Sequence, residues 1–174
     1  MFFDKYKEKS AHKILRKGSP AVMSRAGNGN SKVSSLACVV NLDEFEDVEV
    51  FNALAGDLGV KQEHFTMIGY TTRRDADAFR GIPVFTTEEL GWKGEIRNDH
   101  YRQVSERPYD MLLSYYSTSA VLLGLATLGI RAGFKVGFAG MYERENDLII
   151  NMSPERFPEF REELIKYLTI LNKI

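Results

Sequence analysis

The segment from Val33 to Leu42 constrains this chain most: ten consecutive positions without a charge, in an apolar run of strand length. A strand that is apolar at both parities is buried on both faces, as in a parallel sheet covered by helices. The next residues fit that plan. Asp43 is a candidate N-cap, Glu46 stands three residues on as in a capping box, and Phe45, Val48, Phe51, Leu54 and Leu58 recur at helical spacing before Gly59.

The pattern repeats along the chain. Strands are predicted over 65–71, 82–86, 109–116, 134–139 and 147–152, with Pro83 marking an edge or a strand start. Asn98 to Glu106 predicts a short helix. Ser117-Thr118-Ser119 caps a helix to Ala132 that is apolar nearly all round and must be covered by protein. Ser153 or Pro154 opens a closing helix to Asn172, with Phe157, Phe160, Leu164, Tyr167, Leu168 and Leu171 on its buried face. About seven residues separate the last two strands, too few for a helical crossover, so those two are expected to pair antiparallel. The fold class is therefore α/β: a doubly wound, mostly parallel sheet, Rossmann-like or flavodoxin-like, with an antiparallel C-terminal edge element and a closing C-terminal helix.

A basic arm precedes this body. Residues 1–32 hold eight Lys/Arg against Asp4 and Glu8, a balance of +6, which leaves −7 on the rest of a chain whose net charge is −1. The expected organisation is a basic helix and linker over 1–31 and an α/β domain over 32–174. In the arm, Phe3, Tyr6, Ser10 and Ile14 form a helical stripe over 2–17, Gly18-Ser19-Pro20 stops it, and Ala21 to Asn30 reads as a linker. Such an arm is a solvated helix docked by Phe3, Tyr6 and Ile14, or a surface for an anionic partner. Nucleic acid is not expected, because the body is acidic and no nucleic-acid motif accompanies the arm.

A length of 174 residues suits one domain able to bury a core without staples. Cys38 is the only cysteine, which excludes an internal disulfide, and its apolar neighbours make it a core residue rather than a nucleophile. The chain becomes charged at once after Met1-Phe2-Phe3, unlike a secretory signal, and the apolar stretch Thr118 to Ile130, 13 residues, is shorter than the roughly 20 residues of a membrane span. A cytoplasmic protein is expected.

The phrases Glu89-Leu90-Gly91-Trp92-Lys93-Gly94, Tyr109-Asp110-Met111-Leu112-Leu113-Ser114-Tyr115-Tyr116, Phe134-Lys135-Val136-Gly137-Phe138 and Asp147-Leu148-Ile149-Ile150-Asn151 resemble an uncharacterised bacterial family of domains of unknown function. The resemblance covers most of the chain and implies no activity. Tyr109 to Phe138 is also similar to the end of the N-terminal half of heptosyltransferase-like glycosyltransferases, with Lys135-Val136-Gly137-Phe138 in place of an Arg-Ile-Gly-Phe segment. Those enzymes are about twice as long and bind nucleotide sugar chiefly in a second domain, so this similarity implies fold alone.

In open α/β sheets ligands bind beyond the carboxyl ends of the strands, near helix N-termini. That rule selects Asn41-Leu42-Asp43, Thr71-Thr72-Arg73-Arg74-Asp75 and Ser117-Thr118-Ser119. Paired guanidinium groups of Arg73 and Arg74 beside the hydroxyls of Thr71 and Thr72, with Ser117, Thr118 and Ser119 at a helix start, suit a phosphate or carboxylate; the bland alternative is a solvated turn and a cap. No Gly-rich phosphate fingerprint follows the first strand, where Asp43, Glu44, Glu46 and Asp47 would repel a pyrophosphate, so no cofactor is expected. His12, His64 and His100 are scattered without ligand spacing, no metal site is expected, and no catalytic group can be assigned. Asp110, Asp147 and the Glu143-Arg144-Glu145 turn read as solvated ends, and Trp92, Tyr115 and Tyr116 as core or pocket lining. The expected function is binding of a small anionic ligand, such as a nucleotide or sugar phosphate. The alternative is a protein-interaction or assembly protein, with a protein partner or as a homo-oligomer, that uses the basic arm or the apolar helix 118–132.

Overall fold

The structure is a computed structural model that describes residues 2–18, 31–74, 79, 81–140 and 142–174, the side chains of 2 and 3 excepted. The linker expected over 21–30 lies outside the described residues, as does the Phe3 side chain. Six strands, β1 (Leu36–Asn41), β2 (Phe65–Thr71), β3 (Val84–Thr86), β4 (Tyr109–Tyr115), β5 (Ala132–Phe138) and β6 (Leu148–Ile150), form one sheet in the order β3-β2-β1-β4-β5-β6. Every neighbouring pair is parallel. This is a doubly wound order, with its topological switch point between β1 and β4.

All six residues of β1 are buried, which is why the run carries no polar alternation. Leu36, Cys38 and Val40 face a core closed by α2 (Val50–Asp57) and α5 (Phe157–Ile170), where Tyr115 is ringed by Phe45, Phe51, Phe138, Phe157 and Phe160. Ala37 and Val39 face the other core, closed by α1 (Phe2–Lys17), α3 (Asp99–Ser105) and α4 (Val121–Gly129). Burial pushes the Cys38 thiol far up, as befits a core residue.

Three expectations about the elements need correction, and a fourth about Asp110. First, β5 and β6 pair parallel, with Val136 opposite Leu148, and not antiparallel. A parallel return demands a helix only if it retraces the whole strand; here β6 starts two residues short of the end of β5, a return of about 7 Å. The connection, with one 3-10 turn at Glu143–Glu145, spans it. Second, Asp43 and Ser117–Ser119 are not helix caps: α2 starts at Val50, and α4 follows Ala120 with no side-chain cap. Third, α1 is not docked by Tyr6, which is exposed; Ala11 is fully buried, and Ile14 and Leu15 are half-buried against α4 and its neighbours. The apolar helix is covered as required, with Leu122 to Leu128 buried.

Asp110 is likewise no solvated strand end. Its Oδ2 accepts from the N–H and hydroxyl of both Ser34 and Ser35 at 2.7–3.0 Å, tying the start of β4 to the residues that lead into β1.

Candidate functional site

At the carboxyl ends of β1, β2 and β4, the three segments singled out by sequence converge and satisfy one another. The Thr71 hydroxyl donates to Asp43 Oδ1 at 2.6 Å, and the Thr72 N–H and hydroxyl donate to Asp43 Oδ2 at 2.8 and 2.7 Å. Arg73 pairs with Glu46 at 2.6 Å and lies 5.4 Å from the Phe79 ring centroid. The Ser117 N–H and hydroxyl donate to the two oxygens of Glu44, both at 2.8 Å, and Asn41 Nδ2 donates to Thr118 Oγ1 at 3.2 Å across the switch point. Arg74 is exposed, and Asp75 lies outside the described residues.

Carboxylates of the chain itself therefore engage most of the donors expected to hold an anion. Partial burial would push the Asp43 carboxyl up, but the hydrogen bonds from Thr71 and Thr72 and the charge of Arg73 outweigh it and hold it below its ordinary value. The group acts as a hydrogen-bonded rim that locks β1 to its two neighbours.

Adjoining this rim at Tyr70 and Ser119, on the side of α1 and α4, opens a cleft of about 940 Å³. Its long wall is α1, which presents Asp4, Glu8, His12 and Arg16 in successive i,i+4 steps. Tyr70, at the end of β2, lines it from the sheet. Ser119 to Leu122 supply the start of α4, and Thr87, Glu88 and Leu90 close the far side.

Two close contacts build these walls. Gly94 has φ 77°, and a Cβ there would come within 2.9 Å of the Ala11 Cα, so the 91–94 turn rests directly on the backbone of α1. Tyr6 and Lys7 add to this seam, the Tyr6 ring 6.5 Å from that of Trp92 and Lys7 Nζ 5.5 Å from its centroid. On the opposite side Tyr142 adopts φ 52°, a conformation that costs a non-glycine residue free energy and so is held by its surroundings. Its hydroxyl donates to the Ser119 carbonyl at 2.9 Å, and its ring lies where a Cβ on Gly124 would fall 2.6 Å away. This latch brings Arg144, read from sequence as part of a solvated turn, to the cleft.

The cleft holds donors without partners. Among the described residues Arg16 and Arg144 make no ion pair, and the hydroxyl of Tyr70, a residue buried as a whole, makes no hydrogen bond. Burial, and then the charge of Asp43, pushes the Tyr70 phenol up, so it stays a neutral donor. Burial, and then Tyr70, does the same to Tyr142. Ala120 offers no capping side chain, and Val121 and Leu122, the first residues of α4, line the cleft. Among the described residues no three His, Cys, Asp or Glu side chains gather as a metal site. Of the histidines, His12 alone lines the cleft.

A family model described as a family of unknown function (DUF6913) matches residues 7–171. The chain belongs to that family. The DUF6913 match begins inside α1, so the unit shared across the family takes in most of the helix that walls the cleft together with the whole sheet. No curated protein and no solved structure matches the chain, heptosyltransferase-like glycosyltransferases included. Sequence reasoning selected three segments that the structure has at the carboxyl ends of β1, β2 and β4, but it did not connect α1, Tyr70 or Arg144 with them. The one readable signal was the polar row Asp4, Glu8, His12 and Arg16 on the flank of a helix whose apolar face is narrow.

Proposed function

We propose that this domain binds a small anionic ligand, of nucleotide or sugar-phosphate size, in the cleft between α1 and α4. What supports the reading most is one juxtaposition on a single cleft: the Tyr70 hydroxyl, which has no hydrogen-bond partner among the described residues, the uncapped start of α4, and the guanidinium groups of Arg16 and Arg144, which make no ion pair among the described residues. A helix start favours anions, and a guanidinium supplies charge-assisted hydrogen bonds to phosphate or carboxylate. The volume of about 940 Å³ lies within the range of small-molecule sites. In this reading Ser119 contributes to the seat, whereas Thr71, Thr72, Arg73, Arg74, Ser117 and Thr118 form the rim that fixes the loops.

The test is a thermal-shift and calorimetric panel of inorganic phosphate, AMP, glucose 6-phosphate and citrate on three proteins. The wild type should be stabilised by at least one anion, Arg16→Gln/Arg144→Gln should lose at least tenfold in affinity, and Arg73→Ala/Arg74→Ala should bind as the wild type does. Loss in the rim pair with unchanged binding in the cleft pair would move the site to the rim. Stabilisation by none of the anions would overturn the proposal.

A further inference from the structure

A second charged surface lies on the outer side of α1, turned away from the core. Lys5, Lys9, Lys13 and Lys17 follow one another in i,i+4 steps, and all four are exposed. Those steps place them in one row about 18 Å long. The carboxylates of the helix, Asp4 and Glu8, line the cleft instead, and among the described residues none of the four lysines makes an ion pair. Like charges stacked at this spacing repel one another, and an anionic sheet laid against them relieves that repulsion.

Two aromatic rings flank the row near its N-terminal end. Tyr6 is 63% exposed and Trp92 42% exposed, with ring centroids 6.5 Å apart. Tyr and Trp rings with one apolar and one polar end settle at headgroup level, and long lysine stems reach past them to lipid phosphates. A helix that carries lysines and aromatic rings on one face and buries its other face in a folded body lies flat on a bilayer surface. We infer that this face of α1, together with Trp92, docks the domain on a membrane surface rich in anionic lipid headgroups. The acidic body favours a flat partner that touches only the helix over a nucleic-acid duplex whose charge would approach the body as well. Such docking is independent of whether the cleft takes a ligand.

The test uses the full chain and its only tryptophan, Trp92, as the reporter. Vesicles of phosphatidylcholine alone, and with about a third phosphatidylserine, are floated with protein at low and at high salt while Trp92 emission is read. The expected result is co-flotation and a blue shift with phosphatidylserine vesicles only, lost at high salt. Each Lys→Gln change should weaken partition about fivefold, and the quadruple Lys5→Gln/Lys9→Gln/Lys13→Gln/Lys17→Gln variant more than a hundredfold. If the quadruple variant does not fold by circular dichroism, the single-variant series carries the same reading. Equal partition to both vesicle types, absence from both, or lysine variants that bind like the wild type would overturn the inference. Displacement from vesicles by a DNA duplex that binds more tightly would assign the row to nucleic acid and overturn it too.

Discussion

Gly94→Ala separates two costs that a glycine substitution usually mixes. At φ 77° an alanine pays about 1 kcal/mol for the left-handed backbone, whatever surrounds it. Its Cβ would also stand 2.8 Å from the Ile14 δ-methyl, 2.9 Å from the Ala11 Cα and 3.0 Å from the Ala11 N. The Ile14 methyl can swing aside, but the backbone of α1 cannot, so the helix must lift by several tenths of an ångström to reach an ordinary carbon contact of about 3.5–4.0 Å. Ala11 is fully buried, and Ile14 and Leu15 are half-buried; their burial holds α1 down by about 3 kcal/mol. A gap of that size forfeits a quarter to a half of the contact attraction, or about 1 kcal/mol. Gly59→Ala is the matched control, because Gly59 has φ 74° with nothing within 4 Å of the added Cβ. In denaturant melts Gly59→Ala should lose about 1 kcal/mol and Gly94→Ala about 2 kcal/mol, and only Gly94→Ala should speed amide exchange across residues 4–17, by about five- to tenfold. Equal exchange of α1 in the two variants would refute the claim that α1 rests on the 91–94 turn as a fixed wall of the cleft.

Lys135 is buried with its Nζ 2.6 Å from the Thr127 carbonyl, and burial lowers its pKa to about 8 despite the nearby charges of Glu145 and Asp147. The folded pKa lies below the unfolded one, so the unfolded chain holds more protons between those values and stability rises with pH from 8 to 10. The gain should be about 2 kcal/mol by denaturant titration, and the slope should vanish in Lys135→Met. Burial would raise the Asp110 carboxyl, but its hydrogen bonds from Ser34 and Ser35 win and hold it low. Its stabilisation is thus complete above the unfolded carboxylate value and is lost as pH falls through the folded one; Asp110→Ala should cost about 2 kcal/mol at pH 7 and flatten the acid limb of the stability curve. The Tyr115 hydroxyl donates to the Pro154 carbonyl at 2.5 Å inside the core, and Tyr115→Phe should cost about 1–2 kcal/mol with the fold intact by circular dichroism.

Strand positions were legible because burial on both faces leaves a composition mark: Val33 to Leu42 and Tyr109 to Tyr116 carry at most one charge each, and both contain central strands. Partners distant in sequence were not legible. Asp43 and Glu46 have the spacing of a capping box, yet Asp43 accepts from Thr71 and Thr72 and Glu46 pairs with Arg73. A cross-strand donor outcompetes the local one, and local spacing carries no trace of it. The stripe on α1 favoured Tyr6 by size, whereas the structure buries Ala11, because only a small side chain lets the helix backbone meet the Gly94 turn. The cleft draws on residues of α1, β2, the 87–90 segment, the start of α4 and the β5–β6 connection. No window of sequence spans that set, so the cleft left no local mark in the sequence.

Native mass spectrometry of the gently purified full chain, beside its Arg16→Gln/Arg144→Gln variant, tests the central claim most directly. After incubation with the anion that gives the largest thermal shift, the wild type should retain one equivalent and the variant none. A bare wild type under those conditions, or the same adduct on both proteins, would contradict the assignment of the cleft as an anion site.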